Sequence, residues 1–349
     1  MSRPQTSPTL SVCIATYNRA AFIAETLDSI LEQITPEVEF IVVDGASPDN
    51  TPEVIGRVAL RHPALRYYRQ DENSGVDRDY DKAMGYAAGE YCWLMTDDDV
   101  LVPGALRRVL AALEGGPDLV VVNSEVRNRD LSVALESPRL DISEDLEFDA
   151  SRREEFFAKT ATYLAFIGGV VIRRDLWLAR DRESYYGTLF IHVGVIFQNP
   201  PIGKMKVLAA PLILVRNGNA MWTPRAFEIW TFKWPDLLWS FDGFSESTKR
   251  LVCPREPWRG LNYLVFHRAL GSYSIAEFRK YLASVARGRA RVRAWLIARC
   301  PGSVANLAAV IYFGLFRRSA RVALYDVLGS RHAGLPSRLA ARVLDVDLL

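Results

Sequence analysis

Short apolar runs alternate with amphipathic segments in the N-terminal part of the chain. The apolar runs predict five buried strands, at Leu10–Ala15, Val38–Val43, Leu65–Tyr68, Tyr91–Met95 and Leu119–Val122. The amphipathic segments between them predict four helices, at Ala20–Gln33, Thr51–Arg61, Asp77–Ala88 and Pro103–Leu113. This order of strands and helices favours an α/β fold, in which a mostly parallel sheet carries helices on both faces.

The pattern changes after the fifth predicted strand. Further strands are predicted at Gly168–Ile172 and within Met205–Val215, and the chain has a helical pattern from Ser274 onward. Tryptophan and proline are frequent in the region before Ser274. We therefore divide the chain into an α/β domain over residues 1–215, a Trp/Pro-rich connecting region over 216–273 and a helical region over 274–349.

Polar clusters follow four of the five predicted strands. They read T-Y-N-R after the first strand, D-G-A-S-P-D after the second, N-S-G-V-D-R after the third and T-D-D-D after the fourth. Ligands of open α/β sheets bind outside the carboxyl ends of the strands. The sequence therefore predicts a binding site at this edge of the sheet.

Three adjacent carboxylates, Asp97, Asp98 and Asp99, follow the fourth predicted strand. Such a cluster is unfavourable unless water solvates it or a cation neutralises it. Mg²⁺ and Mn²⁺ prefer oxygen ligands, and either ion can bridge the oxygens of a diphosphate. The alternative is a solvated acidic turn that caps the helix near Pro103.

Four motifs in this order resemble family 2 glycosyltransferases over roughly residues 10–215. They are L-S-V-C-I-A-T-Y-N-R, I-V-V-D-G-A-S-P-D-N-T, N-S-G and A-A-G-E-Y-C-W-L-M-T-D-D-D. N-S-G-V-D-R and Y-C-W-L also resemble the O-antigen abequosyltransferase-like branch, which handles dideoxysugars. The resemblance implies a GT-A nucleotide-binding fold with a C-terminal helical segment. It also implies an inverting transfer of a sugar, in bacterial surface polysaccharide synthesis.

The resemblance assigns donor-binding and metal-binding roles to particular residues. Nucleotide-sugar binding falls in residues 10–125 and the acceptor side in 126–215. The implied donor-binding residues are Thr16, Tyr17, Asn18 and Arg19 for the nucleobase and ribose, Asp44 for the nucleobase, Asp77 for a sugar hydroxyl, Arg78 for a phosphate and Asp97 for the ribose or sugar. Asp98 takes the metal-binding position of the D-x-D motif, and Asp99 can share the ion.

The chain departs from the family pattern at three positions. Ala15 stands where the family usually has proline, and Gly45 stands where many members have a second aspartate. Thr96 aligns with the usual first aspartate of D-x-D. These departures put the identity of the metal ligand in doubt.

An inverting transferase needs a general base to deprotonate the attacking hydroxyl of the acceptor. The family usually provides a carboxylate after the G-G-V-V-I-type strand, which here leads to Asp181–Phe197. The candidates are Asp181, Glu183 and His192, which lies in the apolar, strand-like run L-F-I-H-V-G. Arg216 follows a predicted strand and is a candidate to clamp the diphosphate. For His192 the alternative is a core histidine, and for the others it is a solvent-exposed charge.

Basic residues dominate the stretch from Arg279 to Arg321, which holds ten lysines and arginines and no acidic residue. Aromatic and aliphatic residues lie between them, and the apolar stretch Val304–Phe316 is too short to span a bilayer. A basic helical segment of this kind is typical of elements that lie on an anionic membrane. The alternative is a helical subdomain packed on the catalytic domain.

Composition and targeting signals place the chain in the cytoplasm. The net charge is +2 and no RNA-binding module is visible, so nucleic acid is not an expected partner. The four cysteines are far apart, as in a reducing compartment, and Met1–Thr9 shows no secretory signal. We expect a cytoplasmic enzyme that is peripheral on the inner face of the cell membrane. Its expected partners are a nucleotide-diphosphate sugar, a divalent metal ion and a saccharide acceptor in polyprenyl-linked form.

Two other classes of protein share this type of fold. A sugar-phosphate nucleotidyltransferase usually opens with a glycine-rich G-x-G-x-R loop, where this chain has T-Y-N-R. A non-catalytic nucleotide-sugar-binding protein would not need the aspartate triplet. The nucleotidyltransferase is therefore disfavoured, whereas the non-catalytic alternative stays open because the sequence does not identify the general base.

Overall fold

The computed structural model describes residues 8–346 and Leu348. Most of the N-terminal stretch in which we expect no secretory signal lies outside the described residues. The chain divides into two compact units. The first holds the described residues through Glu125, together with Ser137–Val215 and Phe241–Thr248, and the second holds Val126–Glu136, Arg216–Ser240 and the described residues from Lys249 onward. The three-part division drawn from the sequence stays a prediction.

The strands and helices cover most of both units. The strands are β1 (Leu10–Thr16), β2 (Val38–Asp44), β3 (Leu65–Arg69), β4 (Tyr91–Met95), β5 (Val100–Leu101), β6 (Leu119–Arg127), β7 (Ala134–Glu136), β8 (Leu146–Phe148), β9 (Val170–Arg173) and β10 (Met205–Arg216). The helices of the first unit are α1 (Ile23–Leu31), α2 (Thr51–Arg61), α3 (Val76–Tyr86), α4 (Ala105–Leu113), α5 (Arg153–Thr160), α6 (Arg174–Ala179) and α7 (Ile191–Phe197). The later helices are α8 (Ala226–Glu228), α9 (Trp234–Ser240), α10 (Glu246–Val252), α11 (Leu261–Leu270), α12 (Ile275–Glu277), α13 (Gly288–Arg299), α14 (Gly302–Phe316), α15 (Arg321–Gly329) and α16 (Leu335–Val343).

The sheet of the first unit has the strand order β3-β2-β1-β4-β9-β6-β10-β5, with β8 paired to β10. Its first four strands are parallel, as the alternation of strands and helices predicts. β9 lies antiparallel between β4 and β6, and β10 pairs antiparallel with β5 and with β8. The α/β fold predicted from the sequence is confirmed, and the antiparallel strands join the sheet on the side of β4.

The central strands are buried on both faces, which explains their continuous apolar runs. Every residue of β1 and of β4 is buried. One hydrophobic core unites these strands with the apolar faces of the helices, including Leu27 of α1, Ile55 of α2 and Val109 of α4. Each of these helices turns its polar residues outward, as an amphipathic helix on a sheet does.

Two elements after β9 differ from the sequence expectations. The run around His192, expected to be strand-like, is the helix α7, whose seven residues are all buried. A helix buried on every side shows no amphipathic period, so a short apolar run of this kind does not distinguish helix from strand. β10 is a single strand through Pro211, which lies between the residues that pair with β8 and those that pair with β5.

The second unit contains two helical cores. One joins Phe227 and Trp258 with residues of α11, α13 and the segment between them, including Tyr273 and Leu282. The other joins α14, α15 and α16 around Val310. The helical pattern predicted from Ser274 onward is confirmed by the helices α12 to α16.

No single described helix is long and apolar enough to cross a bilayer. The helices α13 and α14, bent by 103° at the break between them, meet the length and composition criteria only as a pair.

Candidate functional site

The carboxyl ends of β1, β2 and β4 meet at one edge of the sheet. β1 lies between the other two strands, and its last residue, Thr16, pairs in register with Asp44 at the end of β2. Ile14 of β1 pairs with Met95 at the end of β4. The chain continues from β1 to β2 on one side and later returns to β4 on the other, so this is the switch point at which such sheets bind ligands. The polar segments after the three strands therefore form one candidate site.

The loop after β1 is tied to the loop after β2 by backbone hydrogen bonds. The N–H of Asn18 donates to Ser47 Oγ over 2.9 Å, and the N–H of Arg19 donates to Thr51 Oγ1 over 2.8 Å. Asn18 has a φ of 58°, in the left-handed region that asparagine tolerates better than most residues. Tyr17 is half-buried beside it. These bonds fix the shape of the loop to which the resemblance assigns the nucleobase and ribose.

Asp44 is buried, and both of its carboxylate oxygens accept hydrogen bonds. Oδ1 accepts from the N–H of Ser47 over 2.8 Å, and Oδ2 accepts from the hydroxyl of Tyr67 over 2.7 Å. Burial raises the pKa of Tyr67, and its bond to Asp44 raises that pKa further, so the phenol keeps its proton and remains a donor. Sequence reasoning missed Tyr67, because the tyrosine lies inside an ordinary strand pattern.

A second buried carboxylate, Asp79 of α3, lies against the backbone that follows Asp44. A Cβ atom added to Gly45 would be 2.6 Å from Asp79 Oδ2, so a side chain at position 45 would displace this carboxylate. Asp79 accepts a hydrogen bond from Ser74 Oγ over 2.7 Å, and burial raises the pKa of Asp79. The glycine at the position where many family members have aspartate thus makes room for an aspartate from a helix. Sequence reasoning missed it, although D-R-D-Y-D concentrates three carboxylates in the first turns of α3.

One guanidinium group, that of Arg19, balances two carboxylates of the aspartate triplet. Arg19 Nε lies 3.1 Å from Asp97 Oδ1, and Arg19 Nη2 lies 3.2 Å from Asp98 Oδ2. Burial raises the pKa of Asp97 to about 7, the charge of Asp98 adds to the rise, and Arg19 opposes it. Asp99 accepts a hydrogen bond from the hydroxyl of Thr96, the residue that replaces the usual first aspartate of D-x-D. Ion pairs therefore connect the aspartate triplet to the loop after β1.

Asp98 and Asp99 provide carboxylate oxygens, which are the ligands that hard divalent cations prefer. Both residues follow β4 at the edge of the sheet that forms the candidate site. Both residues are buried at the carboxyl end of β4, and a positive group already lies against Asp98. Among the described residues, no group of three or more His, Cys, Asp or Glu side chains forms a ready-made metal cluster. Mg²⁺ usually takes only one or two protein carboxylates and completes its shell with phosphates and water. The donor set matches such a site.

Asp77, at the start of α3, holds the segment that precedes α7. Its Oδ2 accepts from the N–H groups of Gly187 and Leu189 over 2.8 and 2.9 Å, and its Oδ1 accepts from the N–H of Ile191 over 3.1 Å. We expected this carboxylate to bind a sugar hydroxyl. The structure instead occupies it with the backbone of the predicted acceptor side.

The next residues of α3 contact the same segment. The guanidinium of Arg78 lies 4.7 Å from the centre of the Tyr186 ring, where we had expected a phosphate. Asp81 forms an ion pair of 2.8 Å with Arg182 and accepts hydrogen bonds from the Tyr186 hydroxyl and the Trp177 indole. α3 therefore connects the donor edge of the sheet to the acceptor side of the first unit.

His192 is buried in the first turn of α7. Its Nε2 lies 2.7 Å from the carbonyl oxygen of Leu164, which can only accept, so Nε2 carries the proton. Nδ1 then keeps its lone pair, and none of the described residues provides a hydrogen-bond partner for it. Burial lowers the pKa of His192 to about 4, so the imidazole is neutral at physiological pH.

The remaining predicted site residues lie on the surface or in the second unit. Asp181 and Glu183 are exposed, and Asp181 accepts from the N–H of Ser184 over 3.2 Å, which lowers the pKa of the Asp181 carboxyl. Arg216 belongs to the second unit, where its Nη1 donates to the carbonyl of Arg129 over 2.7 Å. Within the first unit, the structure gathers the predicted nucleobase, ribose and metal residues at one edge.

Residues 11–176 match the family described as Glycosyl transferase family 2. This stretch, just under half of the chain, is similar to the family 2 glycosyltransferases. Abequosyltransferase RfbV of Salmonella typhimurium is 28% identical over 225 residues, which are 60% of this chain and 67% of that protein. Further curated relatives match over 33% to 44% of their own length. The resemblance to the abequosyltransferase-like branch is thereby confirmed.

Solved glycosyltransferase structures share the fold of the family 2 domain and its helical continuation. S. aureus TarS in complex with UDP aligns with a TM-score of 0.55 and 16% identity, over 92% of this chain and 89% of that chain. Mannosyltransferase PcManGT from Pyrobaculum calidifontis, in complex with GDP-Man and Mn²⁺, aligns with a TM-score of 0.52 and 18% identity, over 93% and 87%. At these identities the likeness shows the fold alone, which is the GT-A fold predicted from the sequence.

Proposed function

We propose that this chain is an inverting, metal-dependent glycosyltransferase that moves a hexosyl or deoxyhexosyl group from a nucleotide-diphosphate sugar to a saccharide acceptor. The observation that carries the proposal is the convergence, in a family 2 domain, of Asp44, Arg19 and the aspartate triplet at the switch point of the sheet. The product belongs to a bacterial surface polysaccharide, as in the O-antigen branch that the chain resembles.

The nucleotide lies across the ends of β1 and β2. Thr16, Tyr17 and Asn18 form the loop for the base and ribose, and Asp44 accepts a hydrogen bond from the base through a lone pair left over from Ser47 and Tyr67. Asp97 contacts the ribose or the sugar. Arg19 is within reach of the diphosphate, because its guanidinium already lies between two acidic side chains at this edge.

Asp98 and Asp99 hold a divalent metal ion, Mn²⁺ or Mg²⁺. When bound, such an ion neutralises the diphosphate and stabilises the negative charge of the departing nucleotide. The protein contributes two buried carboxylates in fixed positions, since Asp98 pairs with Arg19 and Asp99 with Thr96. The carboxylates would otherwise repel one another, which favours occupation by a cation.

The general base is one of His192, Asp181 and Glu183. His192 has the suitable protonation state, because its Nε2–H bond to Leu164 leaves the lone pair on Nδ1, and a pKa of about 4 keeps the ring neutral. The ring is buried, so an acceptor hydroxyl reaches Nδ1 only if the neighbouring segment moves. Asp181 and Glu183 are exposed, so an acceptor can reach them without a movement of the chain. Both are carboxylates, which is the type of base usual in the family.

The acceptor is a saccharide, in its polyprenyl-linked form, and the enzyme works on the cytoplasmic side of the membrane. The basic, aromatic-containing helices after Ser274 support attachment to an anionic lipid surface. Such attachment confines the chain to the surface on which a lipid-linked acceptor resides. Arg216 and Arg78 remain proposed diphosphate ligands, provided that they leave the partners they have in this structure.

A thermal-shift screen of nucleoside diphosphates tests the donor site. The purified protein is heated with UDP, GDP, CDP or dTDP, with and without Mn²⁺. A ligand present at about 100 times its Kd stabilises the native state by about 2.7 kcal/mol, so the correct base should raise Tm while the others do not. If none of the four raises Tm with Mn²⁺ present, the assignment of the nucleotide to this edge is wrong.

A further inference from the structure

The helix α14 has its large apolar side chains on the outside. Its buried side consists mainly of small residues, such as Gly302, Ala305 and Ala309. Its outward side is a stripe of exposed side chains at helical spacing: Val304, Ala308, Ile311, Tyr312, Leu315 and Phe316. Phe316 is 72% exposed. A helix packed on a protein core normally shows the opposite arrangement, with its bulky apolar residues inward.

The neighbouring helix α16 repeats the arrangement. Leu335, Leu339 and Val343 are spaced by four residues and lie on one exposed side, where Val343 is 84% exposed. The buried side of α16 carries the small residues Ser337 and Ala341. Both helices belong to one hydrophobic core of the second unit. We call the exposed apolar residues of α14 and α16 together the outer face.

Scattered single apolar residues on a protein surface are normal and need no explanation. Leu60 and Leu251, which are 86% and 81% exposed, are of this kind. The outer face differs because its exposed apolar residues follow one another at helical spacing along each of two helices that share a core. Clustered exposed apolar residues of this kind indicate an interaction partner.

Positive charges predominate in the sequence that carries the outer face and in the sequence just before it. The stretch from Arg279 to Arg321 holds ten lysines and arginines and no acidic residue. On α16, Arg338 and Arg342 are exposed beside Leu339 and Val343. Apolar residues bordered by cationic ones fit a surface that has an apolar interior and anionic groups at its boundary, which is the surface of a bilayer with acidic lipids.

We propose that the outer face inserts into the interfacial layer of an anionic membrane, with the apolar side chains of α14 and α16 among the upper acyl chains. This proposal deepens the membrane attachment suggested above and does not depend on the transfer reaction. α14 has 15 residues, which at about 1.5 Å of rise per residue is too short for a hydrocarbon core of about 30 Å. It therefore lies in the surface layer.

A second copy of this chain fits the outer face less well than lipid does. In a twofold dimer each surface patch meets itself. The arginines next to one outer face would then approach those of the other, and like charges brought together at an interface are unfavourable. Anionic lipid headgroups neutralise the same arginines.

Co-sedimentation of the full-length protein with lipid vesicles tests the proposal. The vesicles contain phosphatidylglycerol and phosphatidylcholine in equal parts, and a second set contains phosphatidylcholine alone. The test variant combines Ile311→Ser, Leu315→Ser and Phe316→Ser on the exposed side of α14. The matched control combines Leu60→Ser and Leu251→Ser, which remove leucines elsewhere that are even more exposed. Because every replaced side chain is exposed, the variants should keep the fold, which circular dichroism verifies.

We expect the wild type and the control to bind the anionic vesicles, and the α14 variant to bind them at least about tenfold more weakly. Part of the wild-type binding should survive high salt, because insertion of apolar groups is not screened. Equal binding by the α14 variant and the control would overturn the proposal. A wild-type protein that binds no vesicles would also overturn the proposal. This holds whether the wild type is a monomer or an oligomer that the α14 substitutions convert to monomers.

Unchanged Tm shifts with nucleoside diphosphates in the α14 variant would show that the donor site is unaffected. Failure of membrane insertion and failure of the proposed transfer activity can therefore be told apart.

Discussion

Arg19 connects the two halves of the donor site at the scale of single residues. It neutralises part of the negative charge of Asp97 and Asp98, while its own backbone N–H donates to Thr51 at the start of α2. Burial and the charge of Asp98 nevertheless raise the pKa of Asp97 to about 7, which shows that one guanidinium does not fully offset the cost of placing these carboxylates together. The site is therefore suited to an additional cation.

Replacing Asp98 by asparagine should abolish metal-dependent activity and preserve the fold. The substitution removes one of several repelling charges, so Tm of the protein without ligand should stay the same or rise slightly. We expect transfer to fall by at least about 100-fold, as when one electrostatic group at a reacting centre is lost. The exposed Asp141→Asn is the matched control, and near-normal activity of Asp98→Asn with Mn²⁺ would remove this residue from the metal site.

Replacing Asp44 by alanine should weaken donor binding more than it slows the chemical step. A hydrogen bond to the base is the same in the ground state and the transition state, so its loss raises KM and spares kcat. The substitution also leaves the Tyr67 hydroxyl without its acceptor, and for this reason stability must be measured in parallel. An unchanged donor KM would contradict the assignment of Asp44.

The buried imidazole of His192 should make stability depend on pH. Its pKa falls from an ordinary 6.5 to about 4 on folding, so the unfolded chain takes up this proton first as the pH falls. The contribution is complete above pH 6.5 and is lost between about 6.5 and 4, by up to about 3 kcal/mol. His192→Gln should flatten the fall in unfolding free energy over this interval. Identical slopes in denaturant titrations would contradict the burial of a neutral ring.

Some residues of the donor site can be predicted because the sequence immediately around them marks their position, and others cannot. Asp44 and the aspartate triplet stand directly at the ends of apolar strands, and strand ends can be located from sequence. Tyr67 and Asp79 reach the same edge from another strand and from a helix, so their roles depend on tertiary packing. The backbone partners of Asp77 were not predictable for the same reason, since they are more than a hundred residues away in the chain, and its role toward a sugar hydroxyl stays a prediction.

At the scale of elements, α3 contacts both the candidate site at the strand ends and the segment that precedes α7. At its start, Asp77 accepts hydrogen bonds from the backbone of that segment. In its next turn, Asp81 accepts a hydrogen bond from Tyr186 and pairs with Arg182. Its buried side also places Asp79 against Gly45. Changes in α3 should therefore affect the acceptor side without removing the nucleotide loop.

Asp77→Asn should loosen the segment before α7. The amide side chain keeps one oxygen but turns an NH₂ group toward an N–H donor, which costs about 2 kcal/mol of stability. Hydrogen exchange at the amides of Gly187, Leu189 and Ile191 should accelerate, and transfer should fall at least about tenfold while the Tm shift with nucleotide remains. Asp175→Asn, an exposed aspartate on α6, is the control. Unchanged transfer together with accelerated exchange would make Asp77 a purely structural residue.

At the scale of the whole molecule, the second unit is held together by residues from both sides of Ser274. Phe227 and Trp258 share a core with Phe278 and Leu282. A chain that ends near Ser274 would expose these aromatic side chains, so its failure to bind vesicles would not by itself demonstrate a membrane element. Point substitutions on the exposed side of α14 are the sharper test.

The organisation of the chain was predictable where the pattern is regular. The βα repeats gave the parallel half of the sheet, and the helical period gave the C-terminal helices. The Trp/Pro-rich region could not be assigned, because short helical turns around Trp222 and Trp234 leave no sustained period. The outward direction of the apolar side of α14 also depends on packing, since sequence gives the stripe but not what covers it.

The central claim is that the chain breaks the bond between the sugar and the nucleoside diphosphate with the help of a metal ion. The direct test incubates the purified protein with nucleotide sugars, without acceptor, and identifies the products. The account predicts slow release of a nucleoside diphosphate, with Mn²⁺ or Mg²⁺ present, and its loss on chelation and in Asp98→Asn. Release of a nucleoside monophosphate and a sugar phosphate, or metal-independent cleavage that survives in Asp98→Asn, would contradict it.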